Sequence, residues 1–191
     1  MSFAAYQRQV IAYHGCDQSV ADASFRGGKL NESVNDYDWL GSGIYFWEHG
    51  PARAMEWAQF MKQRKKVTTP AVVGALIQLG HCFDLLDIRF TGFLRGMFPD
   101  FEETLVAAGD LPPVNDPAIK LHRLDCAFLN WAIPIVEEKL GVRFQTVRGV
   151  FIEGESLYPS AQIFMHSHIQ IAVRDPAAIL GFFHPATVDS H

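Results

Sequence analysis

Two short stretches of this sequence carry side chains that could handle a nucleotide. In Ala12-Tyr13-His14-Gly15 a histidine stands beside a glycine at the end of an apolar run. An imidazole can hydrogen-bond a ribose hydroxyl. A glycine lets a flat amide lie against bare backbone, whose N–H and C=O can pair with it. In Gly41-Ser42-Gly43-Ile44-Tyr45-Phe46 two glycines flank Ser42 and permit a tight approach. Tyr45 and Phe46 then point to opposite faces of a strand, so one ring can stack on a planar heterocycle while the other anchors the core. Taken singly, each stretch has a plain structural reading too: a strand-end histidine, and a glycine turn ahead of a core strand.

The elements that must position these residues can be read from periodicity and punctuation. Residues 10–13 predict a strand running into a turn at His14-Gly15. Residues 17–25 predict a helix stopped by Gly27-Gly28. Residues 31–40 are polar and irregular, and 43–47 read as a short strand. Pro51 suits the first turn of a helix over 51–66. Residues 71–79 predict a buried strand, and 83–108 one or two short helices. A longer helix over 121–140 carries Leu124, Phe128, Trp131 and Ile135 as one stripe, with a kink expected at Pro134 and an end at Gly141. Strands follow over 147–152 and 168–173, separated by a long loop. Helices and strands are mixed without regular alternation, which favours α+β over a doubly wound sheet.

Bulk properties narrow the function classes. A chain of 191 residues favours a single domain, 1–191. A net charge of −5 argues against a generic nucleic-acid binder, and the run Arg64-Lys65-Lys66 reads as a solvated helix end. Cys16, Cys82 and Cys126 are too few and too scattered for a disulfide framework. No CxxC or HxxxH spacing supports a metal, so none is expected; His81, Cys82 and Cys126 read as core residues. The start of the chain lacks the pattern of a secretory signal, and the apolar run 71–80 is too short to span a bilayer. A cytoplasmic protein without a membrane partner is the expectation.

Together, in this order and spacing, His14-Gly15, Gly41 to Phe46 and the following helix with its small residue Ala54 resemble the ADP-ribosyltransferases of the poly(ADP-ribose) polymerase and diphtheria-toxin-like branch. Ile169 to Asp175 looks like the late strand of that family. The resemblance covers about 60 residues near the N-terminus well and the last 25 loosely. It implies an α+β fold with a split β-sheet core and flanking helices, and NAD as co-substrate in the cleft between the sheet halves. It implies that His14 bonds a ribose 2′-hydroxyl, that Gly15 pairs with the carboxamide, and that Tyr45 stacks on the nicotinamide, with Ser42, Gly43 and Phe46 contributing to the same pocket. No GxGxxG occurs to support a Rossmann reading.

Two positions depart from the family pattern. Gln170 stands where polymerase-like members carry a catalytic glutamate, keeping a hydrogen bond but losing the charge that steadies an oxocarbenium-like sugar. Arg53 stands where a serine touches the carboxamide; it can contact the diphosphate instead, or lie on a helix surface. Glu153, at the end of the preceding strand, is the replacement acid, and Glu155 beside it is a solvated-turn residue or a second candidate. His168 shares a strand face with Gln170 and is a further ribose contact or base. Trp39, in the loop over the cleft, could wall the ligand, and 156–167 would border the acceptor. The expected activity is mono-ADP-ribosyl transfer to a macromolecular acceptor, protein or nucleic acid, with an inhibitor or antitoxin as a further partner. The alternatives are an NAD hydrolase, a silent NAD- or ADP-ribose-binding module, and a plain interaction domain.

Overall fold

A computed structural model describes residues 6–116 and 121–186. Strand β1 (Tyr6–Asp17) runs straight through His14 and Gly15, where a turn was expected. The reason lies in β3 (Pro70–Gly80), which pairs with it antiparallel from Gln9↔Gln78 to Asp17↔Pro70. Asp17 then caps α1 (Gln18–Phe25) by accepting the Ser19 N–H, and also accepts from Thr68 and Thr69. Those bonds, the Thr69 N–H foremost, hold its carboxyl well below the usual carboxylate range. β2 (Ile44–Glu48) and α2 (Pro51–Gln63) follow as the sequence implies, with Pro51 in the first turn.

The segment expected to hold one or two short helices contains a strand, β4 (Cys82–Asp84), and one long helix, α3 (Ile88–Ala108). Pro99 lies inside α3 with its ring exposed, and Gly109 ends the helix at φ +79°. Helix α4 (Arg123–Leu140) carries two apolar stripes rather than one. Cys126, Leu129, Ile133 and Val136 are buried. Phe128 and Trp131, from the stripe the sequence suggested, meet Phe98 and Phe101 of α3 instead, with ring centroids 5.1 to 5.4 Å apart for three of the pairs. β5 (Thr146–Phe151), β6 (His168–Val173) and β7 (Ile179–Phe183) complete the chain; β7 pairs with β3. No helix among the described residues is long and apolar enough to cross a membrane.

The seven strands form one sheet in the order β4-β5-β6-β2-β1-β3-β7. It consists of two well-paired halves joined at β2 and β1. That seam is registered only at Ala12↔Glu48 and Tyr13↔Trp47, whereas β2 pairs with β6 along its whole length. Beyond Tyr13 the two strands part. On one face, α1 packs against β1 and β3 over Cys16, Ala21, Ala71 and Val73. On the other face the halves have different covers. Helix α2 lies over β1 to β3 through Ala54, Trp47 and Val72. Helices α3 and α4 lie over the β5–β6 half through Phe90, Leu129, Ile133, Val147 and Ala172. Helix α2 covers the seam where Tyr13 pairs with Trp47, and Tyr45, two residues back along β2, belongs to the other cover.

Candidate functional site

Strand alternation sorts the sequence-derived candidates onto the two faces. Tyr13 lies opposite Trp47, so His14 falls with Phe46 on the α1 face, their ring centroids 5.6 Å apart. Tyr45, Trp47, Gln170 and His168 fall on the α2 face, where Trp47 is directly opposite Gln170 and Tyr45 opposite Ala172. His14 and Tyr45 therefore do not line one slot side by side. They are joined through the sheet: His14 Nδ1–H donates to the Tyr45 carbonyl at 2.8 Å, across the opening seam. Nδ1 must carry the proton because a carbonyl only accepts, which leaves Nε2 as an acceptor. Nε2 has no hydrogen-bond partner among the described residues. Burial depresses the pKa of His14, against the bond to Tyr45, so the ring is neutral.

Several candidates are taken up by structure. Phe46 is fully buried in the core and has no surface left for a ligand. Tyr45 accepts the Leu40 N–H and donates to the Gly41 carbonyl at 2.7 Å, pinning the loop before β2; burial raises its phenol pKa far above the ordinary value. Gly43 bridges to Ser33, and the Ser42 N–H donates to Asn130 of α4. Ser42 lines a cavity of about 490 Å³ with Glu32, Asn130 and Arg174, and none of His14, Trp47 or Gln170 contributes to it.

Gly15 lets α2 come down onto β1. A Cβ there would sit 2.1 Å from the Ala54 carbonyl oxygen, which is backbone and cannot swing aside. Gly15→Val is expected to cost about 3 kcal/mol by forcing the helix off the strand, seen as a lowered urea midpoint; an unchanged midpoint would show the contact to be loose.

On the α2 face the remaining candidates converge. Trp39 Nε1–H donates to Gln170 Oε1 at 2.9 Å, and the Gln170 amide stands 3.0 Å from His168 Nε2. His168 Nδ1 lies 2.6 Å from the His166 carbonyl and so carries the proton. Every role in the chain is then set: indole to amide oxygen, amide nitrogen to the imidazole lone pair, imidazole to backbone. Gln170 keeps one N–H and one lone pair unspent. Burial lowers the pKa of His168, and the nearby Arg53 charge adds to this against the His166 bond and Glu153. Arg53, in the first turn of α2, pairs with Glu153 at 2.8 Å, so the two stand at the same place as His168. Glu155 is exposed.

Sequence reasoning passed over three members of this cluster. Gly149 lies opposite Gln170, and a Cβ on it would meet the Trp39 ring at 2.8 Å. The missing side chain is what lets Trp39 reach Gln170; a glycine inside a β-rich run was the available signal. Phe151 packs its ring on Trp39 and lies parallel to His168, with centroids 3.8 and 5.4 Å away. Trp47 is buried, and its indole N–H has no hydrogen-bond partner among the described residues.

Both His14 and His168 resist protonation in the fold, whereas an unfolded chain takes up protons near pH 6.5. Stability is therefore complete above that pH and falls below it, because the unfolded state binds more protons there. A urea midpoint that declines from pH 7 to pH 5, with a shallower decline in His168→Gln, is the expected result; a flat profile would contradict it.

Fold and site together define an α+β protein whose open seven-stranded sheet carries a polar and aromatic cluster where its halves join. No protein-family model, no curated protein sequence and no solved structure matches the chain.

Proposed function

We propose that this protein cleaves the nicotinamide–ribose bond of NAD and passes ADP-ribose to a macromolecular acceptor, protein or nucleic acid, on a split-sheet ADP-ribosyltransferase fold. The observation that carries the reading is the seam. Two sheet halves with separate helical covers part beyond Tyr13. A neutral imidazole acceptor lies on the α1 face where the strands begin to part, and an amide, an imidazole and a carboxylate lie on the α2 face beside the join. A dinucleotide would touch both sets by passing between β1 and β2 where they part.

In this reading His14 Nε2 accepts a ribose hydroxyl, and the spare lone pair and N–H of Gln170 hold the sugar next to the breaking bond. Tyr45, on the same face as Gln170, offers its ring to the nicotinamide. The C–N bond breaks with its electron pair passing to the pyridinium nitrogen, and neutral nicotinamide leaves. The acceptor's lone pair closes onto the vacated sugar carbon, and its proton passes to Glu153. Positioning supplies most of the rate.

The engagement of Gln170 by both Trp39 and His168 favours a second reading, a module that binds NAD or ADP-ribose without breaking it. Incubation with NAD separates the readings. Nicotinamide release with labelled ADP-ribose left on protein or nucleic acid supports the transferase, and release with free ADP-ribose identifies a hydrolase. Saturable NAD binding without release supports the module, and no binding removes all three.

A further inference from the structure

The guanidinium of Arg53 is used unevenly. Nη2 donates to Glu153 at 2.8 Å and Nη1 to Glu56 at 3.2 Å, while the buried Nε has no hydrogen-bond partner among the described residues. Nε and Nη2 lie along one edge of the planar group, the edge that grips two oxygens of an anion at once. Glu153 thus fills half of a two-oxygen berth. The Trp47 indole is in a similar state: the residue is 5% exposed and its Nε1–H has no partner either. An orphaned buried donor costs about 1–3 kcal/mol, so two in one neighbourhood call for an acceptor.

The two residues flank Gly50. A Cβ built there would lie 3.2 Å from the Cβ of Trp47 and 3.6 Å from that of Arg53. Gly50 is the N-cap of α2, a 13-residue helix whose first turn has no side-chain cap and no acidic residue. Such a helix start favours an anion through its backbone N–H groups and dipole. The Trp47 and Arg53 side chains therefore leave the backbone side by side at an uncapped helix start, each with a buried donor left over.

We propose that Arg53 and Trp47 form a subsite for a diphosphate group, which Glu153 occupies until the anion displaces it. Two diphosphate oxygens lie along the Nε–Nη2 edge and another accepts the Trp47 N–H. Only hydrogen bonds are exchanged, and the Glu153 carboxylate is released beside His168. The link to NAD rests on the reading above: there the diphosphate is the dinucleotide's own, and its arrival frees Glu153 for proton transfer only once substrate is in place. The subsite itself rests on the contacts alone.

The test is a titration of inorganic pyrophosphate into protein carrying ¹⁵N in its tryptophans, with Trp47→Phe identifying the Trp47 signal. The expected result is a downfield, saturable movement of that signal. Trp47→Phe keeps the apolar ring and should bind about tenfold more weakly. Arg53→Lys keeps charge but loses the fork and should bind at least as weakly as that. Glu153→Gln should bind severalfold more tightly, because the competitor has lost its charge; a merely structural Glu153 would give no such gain. A Trp47 signal unmoved at saturating pyrophosphate, or Glu153→Gln binding no tighter than the unmodified chain, overturns the proposal. Nicotinamide release measured on the same proteins keeps the two ideas apart. Pyrophosphate binding at Trp47 without release upholds the subsite and removes the enzyme, and release with an unmoved Trp47 does the reverse.

Discussion

Gln170→Glu is expected to raise the rate of nicotinamide release from NAD about a hundredfold, the effect of a fixed negative charge beside a developing cation in a dry site. The surroundings already suit the change. Trp39 donates to the side-chain oxygen at 2.9 Å, and an oxygen in its place accepts that bond equally well. The other oxygen replaces an amide nitrogen that now stands 3.0 Å from the unprotonated His168 Nε2. A carboxylate cannot donate there, so His168 takes a second proton and its pKa rises. The gain in rate should therefore come with a protonated His168 near neutral pH, visible in an NMR titration of its ring protons. Release at the rate of the unmodified chain would show that charge does not develop next to residue 170, and would move the search to Glu153.

Arg148→Met should cost about 3–5 kcal/mol of stability, through a buried ionic cluster that includes Glu48 of the seam. Arg148 is buried on β5, and its guanidinium bonds both oxygens of Glu48, at 2.6 and 3.2 Å, and Asp84 Oδ2 at 3.1 Å. Glu48 and Asp84 are buried as well, so removing the cation leaves two carboxylates facing each other away from water. Arg8, exposed and 3.8 Å from Glu48, is a weak substitute. The measurement is urea unfolding at pH 7. A loss below about 1 kcal/mol would mean that water reaches the carboxylates as soon as the arginine is gone. The cluster ties β2, β4 and β5 together, three strands that come from distant parts of the chain.

Local pattern found the elements whose own residues decide them. β2, α1, α2 and β6 were legible because glycine punctuation, a capping aspartate, an N-terminal proline and alternation all lie inside the segment. Where a distant partner decides, the reading stopped short. β1 extends through His14-Gly15 because β3 pairs with it from about 60 residues away. β7 was not among the expected strands because its ladder is supplied by β3. Pro99 lies within one helix, exposed, where the sequence allowed for two.

The site shows the same division. His168 and Gln170 could be placed together from a spacing of two. The pairing of Arg53 with Glu153, a hundred residues apart, could not be read from spacing, and neither could the seating of Trp39 over Gly149. The assignment of His14 and Tyr45 to opposite faces depends on a register between β1 and β2 that no residue in either strand announces.

The sparse join between the two halves of the sheet has a bearing on motion. Parting them breaks the pairing at Ala12 and Tyr13, the bond from the His49 N–H to Ile11 and that from His14 to Tyr45, while every other ladder stays whole. The apolar core under the join is continuous: Val10, Ala12 and Ala75 of one half pack with Ile44, Phe46 and Ile171 of the other, so the join is sparse in hydrogen bonds and is held shut by burial. The amides along it should therefore exchange no sooner than those of the neighbouring ladders, because the core must open with them.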